Sequence, residues 1–384
     1  MQIQVAKRLQ QTEEYYFSKK LREIDELNKS GARVINLGIG SPDLPPHPEV
    51  IQTLHEQASL PTTHGYQNYK GSPVLRKAIA DWYKRYYHVS LNPEKEILPL
   101  IGSKEGIVHI CMTYLQEGDE VLIPNPGYPA YASAVRLSGA TAVTYSMSEE
   151  NDWLPNLDEL STMDLSKVKM MWINYPHMPT GSQATSTFFE DVVAFGQRHN
   201  ILICHDNPYS FILNDKPQSI MSTPGALAVA IELNSLSKSS NMAGWRIGML
   251  VAAEERINEI LRFKSNMDSG MFLPLQLAAA KALSLDSTWY TQLNAAYQKR
   301  KEKALELLDL LQCTYRKDQV GLFIWAKIPA SYSSGYELSD EVLNRSRVFI
   351  TPGGIFGDAG NGYIRVSLCA TEQIFEEAIG RIRQ

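Results

Sequence analysis

Several things are missing from this 384-residue chain, and each absence narrows the reading. No apolar run is long enough to cross a bilayer. Residues 1–11 are polar and lack the apolar segment of a secretory leader, which points to a cytoplasmic protein with no membrane partner. No basic run occurs and the formal net charge is -5, which argues against nucleic acid as a partner. Only four cysteines are present, Cys111, Cys204, Cys313 and Cys369. They are scattered, fit no metal-ligand spacing, and read as reduced core thiols, so no metal site is expected. No strand ends in Gly-x-Gly-x-x-Gly, which removes a dinucleotide-dependent dehydrogenase. No internal repeat or low-complexity segment is visible. What is there is ordinary for a globular protein, with 44% hydrophobic and 21% charged residues. The length exceeds what one hydrophobic core usually supports, so two domains are expected.

From about residue 78 to 253, apolar runs alternate with helical patterns. Runs at 121–124, 170–173, 201–204, 228–231 and 247–253 are apolar throughout, as strands buried on both faces must be. This predicts an α/β fold with a mostly parallel sheet covered by helices. After residue 253 the pattern changes. Helices are expected over 258–268, 275–285 and 289–312, then strands at 322–328 and 363–368 and a closing helix over 375–383. That part reads as a smaller α+β domain. Before the sheet, 11–30 reads as an amphipathic helix with Tyr16, Leu21, Ile24 and Leu27 on one face, followed by a short strand at 34–37. The 351–362 segment holds five glycines and is expected to be a mobile loop.

The chain is organised around Ser235-Leu236-Ser237-Lys238 and the Gly244-Trp245-Arg246 that follows. A lysine between two buried strands sits in low-dielectric surroundings. Its pKa falls, and the neutral amine it favours is a nucleophile towards aldehydes. Arg246, eight positions on, is always charged, and Ser235 and Ser237 add hydroxyls. Together they suit a phosphate. An aldehyde and a phosphate on one small molecule describe pyridoxal 5'-phosphate (PLP). Ser-x-Ser-Lys alone is short, and by itself an exposed lysine in a serine-rich loop explains it better. The whole stretch is far more specific.

Other stretches add weaker signals. Gly38-Ile39-Gly40-Ser41-Pro42-Asp43 allows close backbone approach to a ligand, although a plain Gly-Pro turn fits equally. Gly102-Ser103-Lys104-Glu105-Gly106 opens a helix, and free N–H groups at such a start bind phosphate readily. Tyr128 follows a buried strand at its C-terminal edge, where open α/β sheets hold ligands. Asp206 also ends a buried strand, and a carboxylate there is costly unless paired, for instance with a protonated pyridine nitrogen. A turn-capping aspartate is the plainer explanation.

Read together, these pieces resemble the class I and II PLP-dependent aminotransferases of fold type I, over essentially the whole chain. The resemblance implies that Lys238 forms the internal aldimine and that Arg246, Ser235, Ser237, Ser103 and the Lys104 backbone hold the phosphate. It implies that Tyr128 stacks on the pyridine ring, Asp206 keeps the ring nitrogen protonated and Tyr209 bonds the ring oxygen. Gly40 and Arg365 match the residues that receive the substrate α-carboxylate. Tyr66, in Tyr-x4-Gly-x3-Leu-Arg with Gly71, Leu75 and Arg76, matches a tyrosine that reaches the partner subunit's phosphate, so a homodimer is implied. One position departs from the family: Met178-Pro179-Thr180-Gly181 stands where Asn-Pro-Thr-Gly is usual. Methionine cannot supply that asparagine's hydrogen bond, which leaves Tyr209 alone, or Asn174 or His177 as a substitute. The division implied is a large PLP-binding domain over 46–284 and a small domain from 1–45 and 285–384. The terminal stretches look like the LL-diaminopimelate aminotransferase-like group. The expected reaction moves an amino group from an L-amino acid to a 2-oxo acid, 2-oxoglutarate or pyruvate. A PLP-dependent carbon–sulfur β-lyase shares the same site residues, and a non-catalytic PLP-binding regulator is a further alternative.

Overall fold

The apolar runs assemble into one seven-stranded sheet because their side chains are excluded from water on both faces. A computed structural model describes residues 3–10 and 16–384. Across the sheet the strands run Ile97–Leu100, Gly248–Val251, Ala230–Ser235, Leu202–Asp206, Val168–Asn174, Glu120–Asn125 and Thr141–Ser146. All are parallel except Gly248–Val251, which is antiparallel to both neighbours. Met170, Trp172, Ile203, Cys204, Ile231 and Leu233 are fully buried in it.

Register decides what the sheet presents. Asn174 lies opposite Asp206, Asp206 opposite Leu233, and Ser235 opposite Gly248. The C-terminal ends of three neighbouring parallel strands thus deliver Asn174, Asp206 and Ser235 to one edge. That edge is where open α/β sheets bind ligands.

A second, antiparallel sheet follows in the order Thr351–Pro352, Tyr363–Ser367, Phe323–Lys327 and Thr314–Tyr315. The 24-residue helix Ser287–Leu310 and the closing helix Glu372–Ile382 pack together beside it. Ile35–Asn36 pairs in parallel with Val348–Phe349, which ties the chain's start to this part. Arg300 grips Asp43 with both nitrogens, at 2.6 and 2.9 Å, and so fixes the end of the Gly38–Asp43 turn. Among the described residues no helix is long and apolar enough to cross a membrane.

Several expectations are corrected. The strand expected at 228–231 starts at Ala230, because Gly225, at φ +81°, opens a helical turn over Ala226–Val229. The helix expected at 258–268 is Glu254–Lys264. The outer strands Ile97–Leu100 and Thr141–Ser146 have no counterpart in the sequence reading. Pro99 disguises one, which only a sheet edge tolerates, and exposed Thr and Ser residues disguise the other. Residues 11–15 of the first expected helix lie outside the described residues. Its remainder is Tyr16–Lys29, with Phe17 and Ile24 buried and Leu21 exposed.

The 351–362 segment is not a loose loop. It forms a short strand and two 3-10 turns, held by Gly127 N–H donating to Phe356 O at 2.7 Å and by Asn125 against Asp358 and Ala359. Its glycines serve close approach: a Cβ on Gly357 would meet Asn125 Oδ1 at 2.1 Å, and that residue's φ is +129°.

Candidate active site

The sheet edge and the second sheet enclose a cavity of about 580 Å³, within the range of small-molecule sites. Lys238 enters it from the short helix Leu236–Ser239, which directly follows the Ala230–Ser235 strand. Its Nζ donates to Gly40 O at 2.6 Å and lies 5.9 Å from the Tyr209 ring centroid. Burial pushes the Lys238 pKa down, and the Arg365 and Arg246 charges push it the same way. An amine so placed spends more of its time neutral.

Asp206 ends its strand almost wholly buried. Its Oδ2 accepts from the Tyr131 hydroxyl at 2.9 Å, while Oδ1 is buried with no protein partner. Burial raises the carboxyl pKa to about 6, opposed by the Tyr131 hydrogen bond, His205 and Lys238. An orphaned carboxylate oxygen on a cavity wall asks for a cationic donor, and a protonated heterocyclic nitrogen meets that need.

A phosphate cradle lies nearby. The helix Ser103–Tyr114 begins at Gly102, whose φ is +84°, and no side chain caps it. A Cβ on Gly102 would sit 2.0 Å from Arg246 Nη2, so only glycine lets that guanidinium reach the helix start. Arg246 itself takes a left-handed φ of 57°, a conformation that costs a non-glycine residue about 1 kcal/mol. Its Nη1 donates to Ala243 O at 2.9 Å and to Ser237 Oγ at 3.4 Å. Ser235 Oγ accepts from Ser237 N at 3.1 Å and so holds the turn that presents Ser237. The helix start, the guanidinium and the Ser237 hydroxyl thus lie together on the cavity wall, a combination that suits an anion. With the orphaned Asp206 oxygen at one end and the cradle at the other, the residues present fit PLP.

Arg365 comes from the Tyr363–Ser367 strand, opposite Trp325 and Thr351. Its Nη2 donates to Gly38 O at 2.7 Å and its Nη1 to Met178 Sδ at 3.3 Å. Phe323, Phe356 and Phe17 surround the guanidinium, with ring centroids at 3.8, 4.7 and 5.6 Å. The two glycines of the Gly38–Asp43 turn are needed for this packing. A Cβ on Gly38 would meet Phe349 at 2.4 Å, and one on Gly40 would meet Phe323 at 2.2 Å.

A family model described as aminotransferase class I and II matches residues 32–382. The chain belongs to the class I and II aminotransferases. This aminotransferase is 42% identical over 382 residues to an LL-diaminopimelate aminotransferase of Dehalococcoides mccartyi, covering 99% of this chain and 98% of the relative. It is 37% identical over 384 residues to the Moorella thermoacetica protein of the same name, covering 100% of this chain and 98% of the relative. The solved apo-BacF structure from Bacillus subtilis matches it with a TM-score of 0.95 at 36% identity, covering 100% of this chain and 98% of that one. A Thermus thermophilus aspartate aminotransferase mutant, 22% identical, shares the fold with a TM-score of 0.91, covering 99% of each chain. The enzyme is PLP-dependent, has fold type I, and transfers amino groups between amino acids and 2-oxo acids. Neither the β-lyase nor the regulator alternative is favoured by these relatives.

In the aminotransferase, Gly40, Ser103, Lys104, Tyr128, Asn174, Asp206, Tyr209, Ser235, Ser237, Lys238, Arg246 and Arg365 all line the one cavity. Tyr66 does not; it is 92% exposed on the surface of the single chain. Asn174 is occupied as a brace, its Nδ2 donating to Asp206 O at 2.6 Å and its Oδ1 accepting from Met178 N at 2.8 Å. His177 does not line the cavity and pairs with Thr180 Oγ1 at 2.8 Å, while burial drops its pKa to about 3. Of the three groups weighed against Met178, Tyr209 keeps a hydroxyl at the cavity wall. Four contributors escaped the sequence reading: Tyr131, Phe17, Phe323 and Phe356. Tyr131 follows Tyr128 by three positions on the helix Pro129–Leu137 and stacks on Trp172 at 5.0 Å. At that spacing it reads as an ordinary core tyrosine.

Proposed function

We propose that Lys238 is the group that binds the cofactor and carries the proton in this transamination, with Asp206, Tyr209 and Arg365 arranged around it. The single observation supporting this most strongly is the pairing, in one cavity, of a pKa-depressed amine with a buried carboxylate oxygen that lacks a partner. PLP supplies an aldehyde that condenses with amines and a protonated ring that takes up the electron pair left by a departing α-proton. Asp206 holds that ring's N–H, with Tyr131 orienting the carboxylate. Tyr209 donates to the ring oxygen and Tyr128 covers the ring face. Ser103, the Lys104 backbone, Ser235, Ser237 and Arg246 bind the phosphate. Arg365, with the Gly40 backbone, takes the substrate's α-carboxylate, and Lys238 takes the α-proton and would deliver it to the cofactor's C4′ as general base and acid. The acceptor is 2-oxoglutarate or pyruvate. Tyr66 serves the phosphate of a second subunit in a homodimer, which its exposure suits. Residues 46–284 form the cofactor domain, and 1–45 with 285–384 the smaller one. Four free cysteines suit a cytoplasmic enzyme.

Arg365→Ala tests the carboxylate assignment. Removing one partner of a buried charge pair costs about 2–5 kcal/mol, so kcat/KM for the amino donor is expected to fall about 30-fold to several thousand-fold. Cofactor affinity should hold. A variant with unchanged donor KM and kcat contradicts the role.

Asp206 sets a pH dependence. Its folded pKa, about 6, lies above the ordinary aspartate value, so the native carboxyl takes up a proton as pH falls through about 6. A proton there competes with the ring N–H. PLP affinity, followed by equilibrium dialysis, is expected to weaken below about pH 6 and to level off above it. In the cofactor-free protein the raised pKa contributes stability below pH 4 that is lost as pH rises through about 6, and Asp206→Asn removes that dependence. A PLP affinity flat from pH 5 to 8 speaks against the assignment.

A further inference from the structure

Within the proposed function four charged side chains of the described cavity lining are engaged and the fifth, Lys104, stands on the phosphate side, and the donor preference inferred from the cavity wall rests on that function. Asp206 faces the ring nitrogen, Arg246 stands over the Ser103 helix start that also carries Lys104, Lys238 is the amine, and Arg365 meets the α-carboxylate. Around Arg365 the wall is mostly apolar: Phe17 and Leu21, with the Ser18 hydroxyl between them, from the helix Tyr16–Lys29, Ile39 from the glycine turn, Met178, Phe323 and Phe356. Phe17 is buried against the Arg365 guanidinium, so the Tyr16–Lys29 helix is part of the site's wall and reaches the very residue that grips substrate. A donor held by its α-carboxylate at Arg365 has these groups as neighbours.

The relatives named for LL-diaminopimelate act on a donor whose far end carries an ammonium and a carboxylate. A charge pressed against aromatic and aliphatic walls loses its hydration and gains no ion pair in return. An apolar side chain loses nothing and displaces water from the same surface. Methionine at 178 acts in the same direction. Its thioether faces the cavity and takes an Arg365 N–H, so residue 178 adds no charge to the wall. We infer that this aminotransferase selects an amino donor with a large, uncharged, apolar side chain, and that Phe17, Leu21, Met178 and Phe356 determine that choice.

The test is a single-turnover half-reaction of the PLP-loaded, full-length protein with one amino acid at a time, followed by the loss of the cofactor's visible band. L-Phenylalanine, L-methionine and L-leucine are compared with LL-diaminopimelate and L-aspartate. The expected rate constant per unit concentration is about a hundredfold higher for the apolar set, the size of discrimination an apolar pocket achieves. Binding supplies a second readout: 3-phenylpropanoate is expected to bind the loaded protein at least about tenfold more tightly than glutarate by calorimetry. Leu21 is 37% exposed at the cavity, so Leu21→Arg can place a cation there without disturbing the core. That variant should shift the ratio of phenylalanine to aspartate about tenfold towards aspartate. LL-Diaminopimelate reacting as fast as phenylalanine in the wild type overturns the inference and leaves the transaminase reading intact, as does an unmoved ratio in Leu21→Arg. Absence of a half-reaction with every amino acid instead overturns the proposed role of Lys238.

Discussion

Lys238→Ala is expected to lower kcat by about 10⁴-fold or more while the protein still folds. General acid–base assistance alone contributes about 10² to 10⁴, and in the proposed function the same amine also makes the cofactor's covalent attachment. Of the two lysines lining the cavity, Lys104 sits exposed on the phosphate side, whereas Lys238 is held between the Ser235 and Arg246 turns with its pKa depressed by burial. No second amine lines the cavity near the α-carbon among the described residues. The visible absorbance of the lysine-bound cofactor should vanish in the variant. Added methylamine, an external amine small enough for the vacated space, should restore part of the turnover. Normal activity in the folded variant removes Lys238 from the reaction.

Asp206→Ala is expected to cost about 10² to 10³ in kcat and to weaken PLP binding, without abolishing it. In the proposed function the carboxylate is the ring's counter-charge, and breaking a buried charge pair costs about 2–5 kcal/mol, or up to several thousand-fold. The proposed phosphate contacts at Ser103, Ser237 and Arg246 are untouched, so some affinity is expected to persist. Tyr131→Phe is a milder probe of the same site. It takes one hydrogen bond from Oδ2 and leaves the carboxylate in place. Steady-state rates with dialysed PLP affinities measure both effects, and Asp206→Ala with wild-type kcat contradicts the counter-charge.

Much of this site was legible in the sequence because its parts lie at ends of buried strands. Asp206 stands just behind the apolar run 201–204, where a buried carboxylate needs a partner, and Ser235 belongs to the Ser-x-Ser-Lys stretch. Lys238 and Arg246 were legible through their mutual spacing and the family resemblance together. What was not legible depends on partners distant in the chain. Phe17, Phe323 and Phe356 meet Arg365 from three separate segments, and each alone looks like any core aromatic. The Asn174 amide looked available for the cofactor, but the register beside Asp206 spends it on the backbone. The glycines at 351–362 suggested mobility, whereas they let the backbone pack against Asn125 and Trp325. Composition shows that a glycine lacks a side chain; only the fold shows what fills the space.

The central claim is that one amine, at position 238, holds the cofactor. Borohydride treatment of the PLP-loaded protein, followed by proteolysis and mass spectrometry, fixes the cofactor to whichever lysine bears it. The account predicts a single modified peptide, carrying the pyridoxyl group on Lys238 and absent from Lys238→Ala. A pyridoxyl group on another lysine, or none on a protein that turns over substrate, contradicts it.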